Sequence, residues 1–119
     1  MVVHLEGIAP PQSSKVDIDI KISATVNISA FAARQKVNGF IVDEISTNMH
    51  GLEPSLIVGQ RLAWRVPIVL SIPPRGDLGI VGEIDVDVET GEILYTRALI
   101  TEIKQHAREL ATRPTPQAN

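Results

Sequence analysis

Three acidic side chains at alternate positions are the first residues in this sequence that suggest chemistry. Asp85, Asp87 and Glu89 are followed by Thr90 and Gly91. A calcium loop also supplies oxygen ligands at alternate positions, but it needs glycine at its sixth position so that the chain curls around the ion. The sixth residue from Asp85 is Thr90, and the intervening valines favour an extended chain whose alternate carboxylates lie about 6–7 Å apart. We therefore predict the outward face of a strand, and no metal site.

Two arginines are expected to balance this acidic face. Arg61 and Arg65 lie at the start of the apolar segment that precedes the acidic one. Opposite charges attract when they face each other on neighbouring strands. We predict that these arginines and the acidic residues form such cross-strand pairs.

The three histidines, His4, His50 and His106, lie in separate segments of the chain. A zinc site needs three or four ligands, and none of the histidines has a second histidine and a third ligand at suitable spacing. If the chain has a ligand pocket or an active site between helix and sheet, we expect His50, Glu53 and Arg65 to line it, since His50 could pair with Glu53.

Several classes of function are made improbable by what the sequence lacks. It has no cysteine, no serine-hydrolase elbow and no phosphate-binding loop, and its formal net charge of −3 has the wrong sign for a nucleic-acid partner. The glycines Gly76, Gly79 and Gly82 are spaced by three, with no helix directly after them, so we predict that they serve turns and bulges. We predict no catalytic residue, no cofactor and no metal.

The elements that position these residues begin with a strand and a helix. After a flexible lead-in (1–15), apolar and polar residues alternate from Val16 to Ser23, which predicts a half-buried strand. Asn27 and Ser29 are both good N-cap residues. An amphipathic helix of about four to five turns is then predicted from apolar residues spaced by three and four: Ala30, Ala33, Val37, Phe40, Ile41 and Ile45.

A three-strand antiparallel meander follows, and a second helix closes the domain. Gly59-Gln60 predicts a two-residue hairpin turn, which pairs Ile57 with Leu62. Pro67 cannot donate a ladder hydrogen bond, so we expect a bulge or an unpaired edge there. Thr96 is expected to cap the last helix, which packs on the sheet.

The predicted register leaves an apolar face of the meander turned away from the first helix. Either the C-terminal helix or a second copy of the chain covers it, because a face this apolar is not simply solvated. We predict an interface at the residues of this face: Leu56, Val58, Ala63, Val69 and Val81.

The helix, the segment RLAWRVPIVL, the glycine-rich turn and the segment VGEIDVDVETGEIL together resemble the PepSY-type module. The match covers about half the chain, and the closing hairpin matches at Asp87, Thr90, Gly91, Ile93 and Leu94. The resemblance implies a helix packed on an antiparallel meander and a role in binding or inhibiting peptidases, usually outside the cytoplasm. The chain also resembles small bacterial proteins.

The sequence therefore predicts one α+β domain (16–111) between the lead-in and a disordered tail (112–119). The first eleven residues contain no Lys or Arg, and no apolar run is long enough to span a membrane, so we expect a cytoplasmic protein. The favoured function is a non-enzymatic interaction module that self-associates or binds a protein partner. The alternative is a small-ligand or enzymatic pocket between helix and sheet.

Overall fold

The computed structural model describes residues 3–5, 19, 21 and 23–113. Within these residues it contains two α-helices and six β-strands, which makes the fold α+β as predicted. The elements in chain order are β1 (Val3–Leu5), α1 (Ala30–Glu44), β2 (Met49–Gly51), β3 (Ser55–Val58), β4 (Leu62–Ile72), β5 (Gly76–Asp87), β6 (Ile93–Leu94) and α2 (Arg97–Thr112).

The six strands form one mostly antiparallel sheet in the order β1-β3-β4-β5-β6. β1 pairs with β3 in parallel, and every other pairing is antiparallel. β3 pairs with the first part of β4, and β2 pairs with the later residues 68–70 of the same strand. The long β4–β5 ribbon is therefore the centre of the sheet, and β2 is an addition that the sequence did not predict.

Pro67 lies where the neighbouring strand changes from β3 to β2. Its carbonyl accepts a hydrogen bond from the Leu52 N–H at 2.8 Å, and neither β2 nor β3 has a residue paired with it. The missing N–H of proline therefore falls where β4 has no strand partner on that side. This confirms the predicted unpaired edge at Pro67.

The β3–β4 hairpin has a register different from the predicted one. Its link is the three residues Gly59–Arg61, so that Val58 pairs with Leu62 and Leu56 with Trp64. Arg61 stays outside the strand, with its guanidinium 3.4 Å from the Asp87 carboxylate. A slip of one residue moves every side chain to the other face. The prediction that Leu56 and Val58 face away from the helices is therefore wrong.

The pairing of β4 with β5 slips at two places, and each slip leaves one residue of β5 without a partner on β4. Val81 is left out at one slip and Leu78 at the other. A bulge re-aims the side chain of the extra residue, and both residues pack into the core under the helices. The prediction that Val81 lies on the outer face is wrong for this reason. We predicted that the glycines serve turns and bulges. Gly79 fits this prediction, because it lies between the two extra residues and has φ +148.

Both helices pack on the same face of the sheet and share a single core. α1 lies over β2 and β4, and α2 lies over β5. The cluster joins buried residues of both helices, of three strands and of the turn after β5: Ala33, Val37, Ile41, Met49, Trp64, Val66, Ile68, Leu70, Val81, Ile84, Val86, Val88, Ile103 and Ala107. Burial of aliphatic surface on this scale is what holds such a domain together. The C-terminal helix does not cover the opposite face.

Among the described residues, three buried apolar side chains lie on the opposite face, outside this cluster. Ile57, Ala63 and Val69 are at most 4% exposed. Ala63 and Val69 therefore lie on the face for which we predicted an interface, although they are not open to solvent. Their role at an interface stays a prediction.

Side chains of α1 fix it to the sheet. Ser29 caps the helix by accepting from the Ala32 N–H at 3.0 Å, which confirms the predicted start. The side-chain Oδ1 of Asn38 accepts from the Gly51 N–H at 2.7 Å, and Arg34 Nε donates to the backbone carbonyl of Gly51 at 2.9 Å. The outward backbone N–H and carbonyl of Gly51 on β2 are thus both bonded to side chains of the helix.

The terminal predictions are tested only in part. Val3–Leu5 form β1 inside the predicted lead-in. Of the predicted strand from residue 16 to 23, only Asp19, Lys21 and Ser23 are described, and none of them is in a strand; the rest lies outside the described residues. Of the predicted tail, the same holds for residues 114–119.

Candidate functional site

The three residues that we predicted to line a pocket do not meet. His50 pairs with Val69 on the face away from the helices. Glu53 lies 3.8 Å from Arg34 and is largely exposed. Arg65 is held by Asp85 through two hydrogen bonds of 2.9 and 3.0 Å. The structure therefore does not assemble a site from His50, Glu53 and Arg65.

Two residues of the acidic series pair with the predicted arginines, one pair across strands and one from the β3–β4 link. Arg65 binds Asp85, and Arg61 lies 3.4 Å from Asp87. Asp87 also accepts hydrogen bonds from the backbone N–H groups of Glu89 at 2.8 Å and Thr90 at 2.9 Å. These bonds to the ionised form lower the pKa of Asp87, and the Arg61 charge adds to them. Asp87 therefore stabilises the turn after β5.

His106 lies on α2, and its Nδ1 is 3.0 Å from the Val81 carbonyl oxygen. Because a carbonyl only accepts, this nitrogen carries the proton of the bond. His106 therefore ties α2 to the bulge of β5. Among the described residues, no group of three or more His, Asp or Glu side chains is arranged to hold a metal ion.

A groove between α1 and α2 offers a better candidate site. Its volume is about 400 Å³. One wall belongs to α1, and the other belongs to α2 and the residue before its cap. The lining residues are Phe40, Glu44, Tyr95, Arg97, Ile100, Thr101 and Lys104. We refer to this surface as the interhelical groove.

The bottom of the interhelical groove is aromatic and aliphatic. The rings of Phe40 and Tyr95 meet with centroids 4.7 Å apart and planes tilted by 47°. Tyr95 is nonetheless 54% exposed, and Ile100 beside it is half-buried. An aromatic pair of this kind presents a rigid apolar surface with a hydroxyl at its edge.

The edges of the interhelical groove are charged. Arg97 and Lys104 stand on the α2 side and Glu44 stands on the α1 side, all three exposed. Among the described residues, none of the three has an ion-pair partner within 4.0 Å. The groove therefore has apolar contact area at its centre and unpaired charges at its edges, as binding surfaces commonly do.

This groove was not predicted from the sequence. Phe40 appeared only as a core position of the first helix, and Tyr95 had no assigned role. The two lie far apart in the sequence, and nothing local shows that α1 and α2 share one face of the sheet. One available signal was the position of Tyr95 immediately before the Thr96 cap, where an apolar side chain packs at the entry to a helix.

Comparison of the chain with models of protein families, with curated proteins and with solved structures finds no match. The resemblance to the PepSY-type module stays a prediction. In the described part of the chain, neither helix has the length and apolar character needed to cross a bilayer.

Proposed function

We propose that this chain is a protein-interaction module that binds a segment of a partner protein in the interhelical groove and carries out no chemistry itself. The observation that supports this is the placement of its aromatic residues. Of the four in the sequence, only Trp64 is fully buried in the core, at 5% exposure. Phe31 is 69% exposed and Tyr95 is 54% exposed, and Phe40 is half-buried beside Tyr95.

Aromatic side chains strongly favour burial, so their position on the surface needs a reason. Phe, Tyr and Trp dominate the energetics of protein interfaces, where a few anchors supply most of the affinity. Burying one such side chain against a partner is worth roughly 1.5–3 kcal/mol. Phe40 and Tyr95 are positioned to act as one anchor, since they already contact each other.

A partner protein fits the interhelical groove better than a second copy docked groove to groove. In a symmetric dimer of that kind the same patch meets itself. Two concave surfaces that face each other leave a void between them, and voids forfeit packing energy. A convex element of another protein, such as a helix, fills the groove instead.

Site-specific photocrosslinking tests the proposal. Tyr95 is replaced by p-benzoylphenylalanine in the native cells, and Gln35 on the exposed side of α1 is replaced in the same way as a control. We expect a defined cross-linked protein from position 95 and none from position 35. Equal labelling from both positions, or none from position 95, would contradict a docking site in the groove.

Affinity measurements with the captured partner then distinguish binding in the interhelical groove from nonspecific binding through exposed aromatic side chains. Tyr95→Ala is expected to weaken binding by about tenfold or more, the loss typical of an interface anchor. Phe31→Ala is the matched control, because Phe31 is an exposed aromatic on the other flank of α1. A larger loss from Phe31→Ala than from Tyr95→Ala would refute the assignment of the groove.

A further inference from the structure

The charges of α2 are sorted by side. Arg97, Lys104 and Arg108 follow one another at intervals of seven and four, which places them along one flank of the helix. Glu102 and Glu109, also seven apart, lie along a different flank. Thus α2 has a basic flank and an acidic flank, although the chain as a whole has a net charge of −3.

The basic flank is the one that faces the interhelical groove. Arg97 and Lys104 both line the groove. Arg108 continues the same row beyond it, with its guanidinium 2.9 Å from the neutral amide oxygen of Gln105. No carboxylate among the described residues lies within ion-pair distance of these three cations. The basic flank is therefore not compensated within the described part of the chain.

Two of the groove charges also stand at the unfavourable ends of their helices. Arg97 is the first residue of α2, near the positive end of the helix dipole, and Glu44 is the last residue of α1, near its negative end. Each charge is disfavoured in that position. Charges that oppose the helix dipole and have no compensating partner in the fold are expected at functional positions.

We propose that the partner segment in the interhelical groove is acidic along the edge that faces α2. This inference rests on the proposed function. Carboxylates of the segment would lie against Arg97 and Lys104, and its apolar side would lie on Phe40 and Tyr95. The segment belongs to a protein and not to a nucleic acid, because Glu44 and the apolar centre of the groove do not suit a phosphate backbone.

The proposal predicts that removing a charge from one wall of the interhelical groove weakens binding of the segment, and that removing one from the other wall tightens it. Lys104→Gln is expected to weaken binding of the segment by about two- to fivefold at roughly 50 mM salt, the range measured for exposed ion pairs. Glu44→Gln removes a repulsion and is expected to tighten binding by a similar factor. Glu102→Gln, on the other flank of α2, is the matched control and should leave the affinity unchanged. At roughly 0.5 M salt the differences should shrink, since exposed charges are screened.

The test begins with the segment cross-linked at position 95, whose sequence is read by mass spectrometry. The peptide is synthesised, and its affinity for the folded chain and its three charge variants is measured by titration calorimetry. An acidic segment with opposite signs for Lys104→Gln and Glu44→Gln supports the inference.

Two kinds of failure are distinguishable. A neutral or basic segment, or weaker binding on Glu44→Gln, overturns the inference and leaves the proposed function standing. The same holds if a single-stranded DNA oligonucleotide of equal charge displaces the peptide equally well. The absence of any specific cross-link from position 95 overturns both. Circular dichroism of each variant shows that the fold is retained.

Discussion

Gly51 holds α1 at a fixed distance from the sheet, and replacing it tests how α1 is positioned. A Cβ added at Gly51 would lie 2.6 Å from Cγ1 of Val66 and 3.3 Å from Oδ1 of Asn38. The first distance is far inside van der Waals contact, so Gly51→Ala must push β2 away from β4 or displace the side chain of Val66. Because α1 forms one wall of the interhelical groove, this position matters for binding as well as for stability.

The expected loss of stability follows from the steric clash between a Cβ at residue 51 and Val66, and Val66→Ala should relieve that clash. Gly51→Ala overpacks the core and is expected to lower the free energy of unfolding by about 1–3 kcal/mol. Val66 is fully buried, and Val66→Ala removes two methyl groups, which costs about 1.6 kcal/mol in transfer energy and about 2–3 kcal/mol with the cavity. In the double variant the new methyl of residue 51 enters the space that Val66 has vacated. The double loss should therefore be smaller than the sum of the single losses by about 1 kcal/mol or more.

The original protein, the two single variants and the double variant form a double-mutant cycle. Their free energies of unfolding are measured by urea unfolding followed by circular dichroism. Gly39→Ala is the matched control, since a Cβ at Gly39 meets nothing within 4 Å. It should raise the free energy of unfolding by roughly 0.5–1 kcal/mol, because alanine is the better helix former. The reasoning about Gly51 is refuted if the two losses add within about 0.5 kcal/mol.

Two further predictions concern the turns at opposite ends of the β4–β5 ribbon. Asp87→Asn should destabilise the fold at pH 7, because the amide cannot act as the charged acceptor for the two N–H groups of the turn. Since the folded state lowers the pKa of Asp87 below 3.8, that stability is present above the unfolded pKa and is lost as the pH falls through the folded value. The free energies of unfolding of the two proteins, measured in urea, should therefore converge as the pH falls from 3.8 through that lower value. Arg75 donates to the backbone carbonyls of Ala111 at 3.0 Å and Arg113 at 3.1 Å at the end of α2. Arg75→Ala should cost about 1–3 kcal/mol of unfolding free energy, with Arg108→Ala as a control near zero; an equal loss in both variants would show that Arg75 is not a specific cap.

The local features of this fold were predictable from the sequence, and the features that depend on distant contacts were not. Ser29 and Thr96 cap the two helices as expected, because capping depends on one side chain and the three residues after it. The β3–β4 register was wrong because both a two-residue and a three-residue link suit the sequence around Gly59. The register that forms pairs Leu56 with Trp64 on the face that packs against the core, and that core includes residues far away in the sequence.

The candidate site could not be predicted for a related reason. Periodicity shows that Phe40 and Ile100 belong to apolar stripes, but it does not show which helices lie side by side. Three of the five residues predicted for an interface on the meander, Leu56, Val58 and Val81, were misplaced because the strand registers differ from the predicted ones. Val81 turns to the core because β5 carries an extra residue there, and no pattern of alternation contains that information.

The outer side of β5 has a consequence for how this protein behaves in concentrated solution. On the side away from β4, β6 pairs with β5 only at Asp85 and Val86. Within the described residues, the edge from Gly76 to Ile84 has no strand partner. A long straight edge of this kind is a template for uncontrolled growth of a sheet from molecule to molecule.

This edge is instead unsuited to growth. Its two bulges break the regular spacing that another strand would need, and His106 already occupies the carbonyl of Val81. Asp77 and Glu83 lie exposed along it and would repel an identical strand laid alongside. The residues that upset the simple alternation of β5 thus also act against aggregation, by keeping neighbouring molecules from joining their sheets.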